Sequence, residues 1–164
     1  MQGTWMSILI ATSITVPALA IGWYAVWVLR RRLVVVDVHG ASMEPTLRQG
    51  DRVLVRRIPA ESVRTGDIVV IERSGAGAAA EQPLQLDRLD RRRDWAIKRA
   101  AAVAGDPVPA SVAAAAGVTP GTAVPAGFLV VLGDNPSRSA DSRVWGYLPT
   151  ERLLGVVRRR LDGR

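Results

Sequence analysis

The chain contains no cysteine, one histidine, one phenylalanine and a single lysine among its 22 lysine and arginine residues. Without cysteine there is no thiol nucleophile, no disulfide framework and no thiolate metal site. The one histidine, His39, cannot build a multi-histidine zinc centre, so hydrolytic chemistry here has to draw its general base from another side chain. Phe128 is the only phenylalanine and the basic residues are scattered, which leaves no aromatic platform for stacking nucleic-acid bases despite a net charge of +7. The scarcity of lysine bears directly on chemistry. A guanidinium does not lose its proton in a protein, whereas a buried ammonium can. Lys98 is therefore the one long cationic side chain able to act as a base, although compositional drift towards arginine also leaves a lone lysine, and the surrounding motifs have to decide.

Charge is missing from the start of the chain as well: no Asp, Glu, Lys, Arg or His precedes Arg30. Residues 1–6 form a short tail. Ser7 to Leu29 then gives about 23 uncharged residues, roughly 34 Å as a helix, which is enough to cross a bilayer. Trp23, Tyr24 and Trp27 gather at its C-terminal end, where amphipathic rings suit the headgroup region, and Arg30, Arg31 and Arg32 follow as a stop. A buried core helix is the bland alternative, and a cleaved leader is the sharper one, since Ala18-Leu19-Ala20 has small-x-small character. No basic residue precedes the segment, and it stays apolar through Ile21 to Leu29, so a retained anchor is expected. The arginines on its C-terminal side would, by the positive-inside tendency, keep the following domain in the cytoplasm.

Residues 30–164 form the remaining domain, long enough to bury a core of its own. Short apolar runs bounded by turn residues read as strands: 33–38, 52–58, 67–73, 95–103 and 128–133. Gly-Asp pairs at 50–51, 66–67, 105–106 and 133–134 act as turn punctuation. The fold class expected is mainly β, with loops at 74–85 and 108–127, a solvated charged stretch at 87–95 and one short helix near 150–155.

Three blocks carry chemistry. SMEPTL places Ser42 just after the first β-branched run, AIKR holds Lys98, and GDNPSRSADSRVWG runs from Gly133 to Gly146. Serine after a strand is common and usually inert, but these blocks, in this order and behind an apolar segment, resemble the type I signal peptidases, serine proteases with a Ser/Lys dyad. The resemblance covers most of residues 34–150 and is to the compact members of the family. It implies a β fold of antiparallel strands behind one transmembrane helix, with Ser42 as nucleophile and Lys98 as general base. It further implies that Ser139 orients the lysine amine and that Asp141 and Arg143 brace the site as a pair, both on one face if the segment is extended. Read blandly, that pair is an ordinary surface ion pair.

The substrate implied is a membrane-tethered preprotein bearing a signal peptide. Its cleavage segment would add as a strand beside residues 36–41 and 95–98, where Val36, Val38, Gly40, Trp95, Ala96 and Ile97 would meet small side chains at positions −1 and −3. No metal, nucleotide or other cofactor is implied, lipid is the other partner, and oligomeric state is left open. The catalytic domain would sit on the extracytoplasmic face of the cell membrane, against the direction that the arginine cluster favours. The chain departs from the family pattern at Gly40, where a serine often supplies a side-chain oxyanion donor, at Ala104 in place of proline, and at Pro136 in place of arginine. His39 reads as a strand side chain. The competing functions are an inactive membrane-anchored adaptor, a peptidase dedicated to a few substrates, and a self-cleaving Ser/Lys repressor, for which residues 1–30 offer no DNA-binding domain.

Overall fold

The computed structural model describes residues 19–24, 32–73 and 95–161. The chain divides into two compact units between Val34 and Val35. In the first, residues 19–24 are helical, and among the described residues no helix is long and apolar enough to cross a membrane. The rest of the span expected over 7–29 lies outside the described residues, as do the tail at 1–6, the loop expected at 74–85 and nearly all of the charged stretch at 87–95.

Each β-branched run becomes a strand: β1 (Leu33–Asp37), β2 (Arg52–Arg56), β3 (Ile68–Glu72), β4 (Trp95–Ala102) and β5 (Phe128–Leu132). β6 (Leu148–Pro149) and β7 (Leu153–Leu161) complete a seven-stranded sheet in the order β1-β2-β7-β3-β4-β5-β6. The pairings of β2 with β7, β7 with β3, β3 with β4, β4 with β5 and β5 with β6 are all antiparallel. The mainly β expectation holds. Register shifts at Leu54/Val55, Val70/Ile71 and Ala100/Ala102 are the irregularities by which a sheet bends and twists.

Two expectations need correction. The short helix near 150–155 is a 3-10 turn over Thr150–Arg152, after which the chain enters β7. Leu153, Leu154, Val156 and Val157 suit a covered strand between β2 and β3, and Gly155 sits where a Cβ would collide with the Arg56 carbonyl. The segment 108–127 is not a plain loop, since it contains α1 (Ala110–Ala116), stopped by Gly117 at φ 69°. Alanine favours helix, but its small side chains hide the amphipathic pattern. The buried face of α1 is little more than Val112 and Ala113, which pack with Val108, Val124, Ala102 and Val130.

β4 is covered on both faces. Ile97 joins a core with Val38, Met43, Val53 and Val70, while Ala96 and Ala100 face a second core with Ile71, Leu129 and Val131. Lys98 lies between those alanines on the strand, so it shares their face.

Candidate active site

Lys98 is 3% exposed. Its Nζ donates to Ser139 Oγ at 3.0 Å, and Ser139 Oγ donates in turn to Asp141 Oδ2 at 2.6 Å. Asp141 is fully buried and also accepts from the Gly133 backbone at 2.8 Å and from the Arg143 guanidinium, Nε to Oδ1 at 2.9 Å and Nη2 to Oδ2 at 2.5 Å. The sequence motif thus closes into one chain of hydrogen bonds from amine to guanidinium. The Asp141–Arg143 segment is not extended, as the shared-face argument assumed: Asp141 caps α2 (Ser142–Trp145) and accepts from the Arg143 N–H. Capping brings a side chain back over its own first turn, and the Arg143 fork completes a two-pronged grip on a buried carboxylate.

Electrostatics follow from this geometry. Burial is the main force holding the Lys98 amine below its ordinary pKa; the Asp141 carboxylate pulls it back up, and Arg73 and Arg143 push it further down. For Asp141, burial acts upward, but the hydrogen bonds from Arg143, Gly133 and Ser139 outweigh it and keep the group below the ordinary aspartate value. A charged brace and a neutralisable amine are thus set side by side.

Ser42 lies across Gly133 from Ser139. It lies in the turn after β1, pinned by the buried side chains of Met43 and Leu47 and by the Leu47 N–H to Met43 carbonyl bond at 2.9 Å. Glu44–Pro45 is a cis peptide. The Ser42 carbonyl accepts from Asn135 N–H at 3.0 Å. Gly133 is wedged between the two serines: a Cβ there would lie 2.6 Å from the Ser42 carbonyl oxygen and collide with Ser139 Oγ. Ser42 Oγ makes no hydrogen bond to Lys98 Nζ, and the Ser42 N–H has no acceptor among the described residues.

A second cluster escaped sequence reasoning, although each member lies within a motif block. Arg99 grips Asp134 with Nε to Oδ1 at 2.8 Å and Nη2 to Oδ2 at 2.6 Å, and Thr46 Oγ1 donates to Asp134 Oδ2 at 2.5 Å. Arg99 Nη1 also donates to the Gly66 carbonyl at 2.9 Å. The Arg99 fork is the main reason Asp134 sits below the ordinary aspartate pKa. One residue from each motif block, Thr46, Arg99 and Asp134, therefore ties the three blocks together.

The residues expected to meet substrate fall into two groups. Val38 and Ile97 are buried in one core, with Val36 and Trp95 packed on it, whereas Ala96 faces the second core. Residues 95–98 pair with β3 on one side, and β5 begins to pair only at Arg99, so among the described residues no strand covers their other edge. β1 is likewise the end of the sheet. Gly40 is exposed and has φ 82°, a region that side-chain-bearing residues rarely adopt. His39 is exposed, and its ring Nδ1 lies 3.1 Å from the Asp37 carbonyl oxygen.

A family model described as "Signal peptidase, peptidase S26" matches residues 7–116 and 109–161. This chain belongs to the type I signal peptidases of that family. The S26 member is 31% identical over 172 residues to "Probable signal peptidase I-2" of Synechocystis sp., an alignment covering 94% of this chain and 72% of the relative. It is also 31% identical over 136 residues to "Probable signal peptidase I-1" of the same organism, covering 70% of this chain and 63% of the relative. Signal-peptide removal is the activity that membership supports.

Gly40 gives a prediction for this S26 member. Because φ there is 82°, Gly40→Ser cannot place a hydroxyl beside Ser42 without straining or refolding the turn. The variant is expected to lose about 1 kcal/mol of stability and to gain no turnover, checked by thermal melts and initial cleavage rates.

Proposed function

We propose that this S26 member is a membrane-anchored serine endopeptidase that cuts signal peptides from preproteins after small-x-small sites. Ser42 is its nucleophile and Lys98 its general base. The observation that carries the reading is the buried Lys98 amine, hydrogen-bonded to Ser139 alone among the described residues and held below its ordinary pKa by burial. A lysine accepts a hydroxyl proton only when neutral, and desolvation is the strongest means of making it so.

The preprotein segment adds as a strand in the unpaired edges of β1 and residues 95–98, where backbone pairing supplies affinity. The apolar surface of Val36 and Trp95, backed by the buried Val38 and Ile97, favours short aliphatic side chains over charged ones. Ser42 Oγ attacks the scissile carbonyl carbon as its proton passes to Lys98 Nζ, and the Ser42 N–H, which has no acceptor among the described residues, donates to the developing oxyanion. The C–N bond then breaks as Lys98 returns the proton to the leaving amine. Water, deprotonated by Lys98, attacks the acyl-enzyme, and the Ser42 hydroxyl is regenerated.

Anchoring rests on the uncharged run at 7–29. Leu19, Ile21 and Trp23 within it are each more than two-thirds exposed, which is costly in water and favourable in a bilayer. The domain is placed on the extracytoplasmic face, where signal peptides emerge; long translocated domains are governed weakly by flanking charge.

Cleavage of an Ala-x-Ala preprotein by the full chain in detergent tests the proposal, beside Ser42→Ala and Lys98→Arg. Loss in both variants is expected, and cutting by either one would overturn the dyad. The pH dependence has a definite sign. Activity follows the neutral fraction of Lys98, so kcat/KM should rise with pH, and because the pKa is lowered the rise should occur below the ordinary lysine value of about 10.4. A rise centred at or above that value would show that the amine is not the desolvated base described.

A further inference from the structure

β5 ends beside an edge that no strand among the described residues covers. β6 pairs only with Phe128 and Leu129, so the N–H groups of Val131 and Gly133 point to where a neighbouring strand would continue. Both are satisfied by side chains from consecutive residues of the active-site loop. Val131 N–H donates to Ser142 Oγ at 2.9 Å, and Gly133 N–H donates to Asp141 Oδ2 at 2.8 Å. Alternate amides along a strand edge are spaced as a partner strand's carbonyls would be, so the two side chains stand in for that strand.

We infer that Ser142 is a positioning residue for the Lys98 amine, registering the Ser139–Asp141 segment against β5 and, through β5, against β4. The inference rests on the Ser/Lys reading above. The register is closed in a ring: Arg99, next to Lys98, pairs with Leu132, Val131 and Gly133 flank Leu132 and hold Ser142 and Asp141, and Asp141 holds Ser139, which holds Lys98 Nζ. Asp141 alone fixes one point of the loop and leaves it free to pivot; Ser142 supplies the second point. Ser142 is fully buried and touches neither Lys98 nor Ser139 through any hydrogen bond. Its influence on the reaction is therefore indirect. A pivot of the loop would move Ser139 off the amine and admit water beside it, with two consequences: a misdirected proton acceptor, and an amine whose ionised form is less penalised.

The test compares the parent full chain, Ser142→Ala and the control Val112→Ala in detergent, using an Ala-x-Ala preprotein and measuring kcat and KM from about pH 6 to 10, with a thermal melt of each. Val112 lies on the buried face of α1, which packs against α2, and its truncation serves as a destabilised variant that removes none of the hydrogen bonds around Lys98. Ser142→Ala is expected to lower kcat at neutral pH about tenfold or more while KM changes less than about twofold, because a displaced base harms the transition state and not the strand contacts. Its acid limb should move to higher pH, whereas Val112→Ala, once corrected for folded fraction, should keep the parent's limb. An unshifted limb with kcat near the parent's would overturn the inference, as would a Ser142→Ala chain that fails to fold at any temperature, since Ser142 would then serve the fold and not the site. A parent that cuts nothing would instead refute the Ser/Lys reading itself.

Discussion

Replacing Lys98 by methionine should abolish cleavage and at the same time make the protein harder to unfold. The loss of activity, about a thousandfold or more, follows from the proposed Ser/Lys dyad, because methionine has no basic nitrogen and the sequence holds no second lysine. The gain in stability follows from linkage. Burial holds the folded-state pKa of Lys98 below its unfolded value, so below that folded value the full cost of burying an ammonium is present. As pH rises from the folded pKa towards about 10.4, the folded state sheds the proton while the unfolded chain still carries it, and stability climbs. Methionine fills nearly the same space, leaves the Ser139 donation to Asp141 intact and removes that cost at neutral pH. An increase in Tm of roughly 2 °C or more is expected, together with a flatter dependence of Tm on pH than the parent shows. Calorimetry across the alkaline range checks both. A variant less stable than the parent at pH 7 would mean that the amine contributes more through Asp141 than burial takes away.

Gly133→Ala should be nearly as damaging without touching any chemical group. The added methyl would overlap Ser139 Oγ, lie 2.5 Å from Ser139 Cβ and lie 2.6 Å from the Ser42 carbonyl oxygen. None of these neighbours is a flexible side-chain end: one is backbone, and the others belong to a hydroxyl held at both its donor and its acceptor sides. The loop carrying Ser139 must therefore retreat from Lys98, or the Ser42 turn must move. A displacement near 1 Å is worth about a hundredfold in rate, and the strain should take about 1–3 kcal/mol from stability. Steady-state kinetics should show the loss in kcat, with KM close to the parent's. Retention of a tenth or more of parental kcat would mean that the two serines are not held as closely as their common contact with Gly133 requires.

The strands were readable because Val, Ile and Leu cluster between Gly-Asp turns, and a covered strand leaves that mark in any context. β7 was not, because Gly155 interrupts its apolar run and Arg158, Arg159 and Arg160 extend it into a charged end; only its place between β2 and β3 explains both. α1 was missed because alanine can be buried or exposed with little change in pattern. At the site, Ser42, Lys98, Ser139, Asp141 and Arg143 were named from their motif blocks, but the turn that folds Arg143 back on Asp141 depends on capping geometry. Arg99, Thr46 and Asp134 interact across separations of 35 to 88 residues, distances over which spacing rules carry no information.

The position of β7 also fixes when the peptidase can become whole. It is the last strand in the described chain, yet it lies between β2 and β3. Until residues 153–161 are available, the sheet exists as two separate pieces, β1 with β2 and β3 with β4 to β6, each showing an open hydrogen-bonding edge. The piece bearing Ser42 and the piece bearing Lys98 are thus brought into a common sheet by a segment synthesised after both of them. A nascent chain halted before that point carries Ser42 and Lys98 with no common sheet to unite them, so the arrangement of the two residues cannot precede β7.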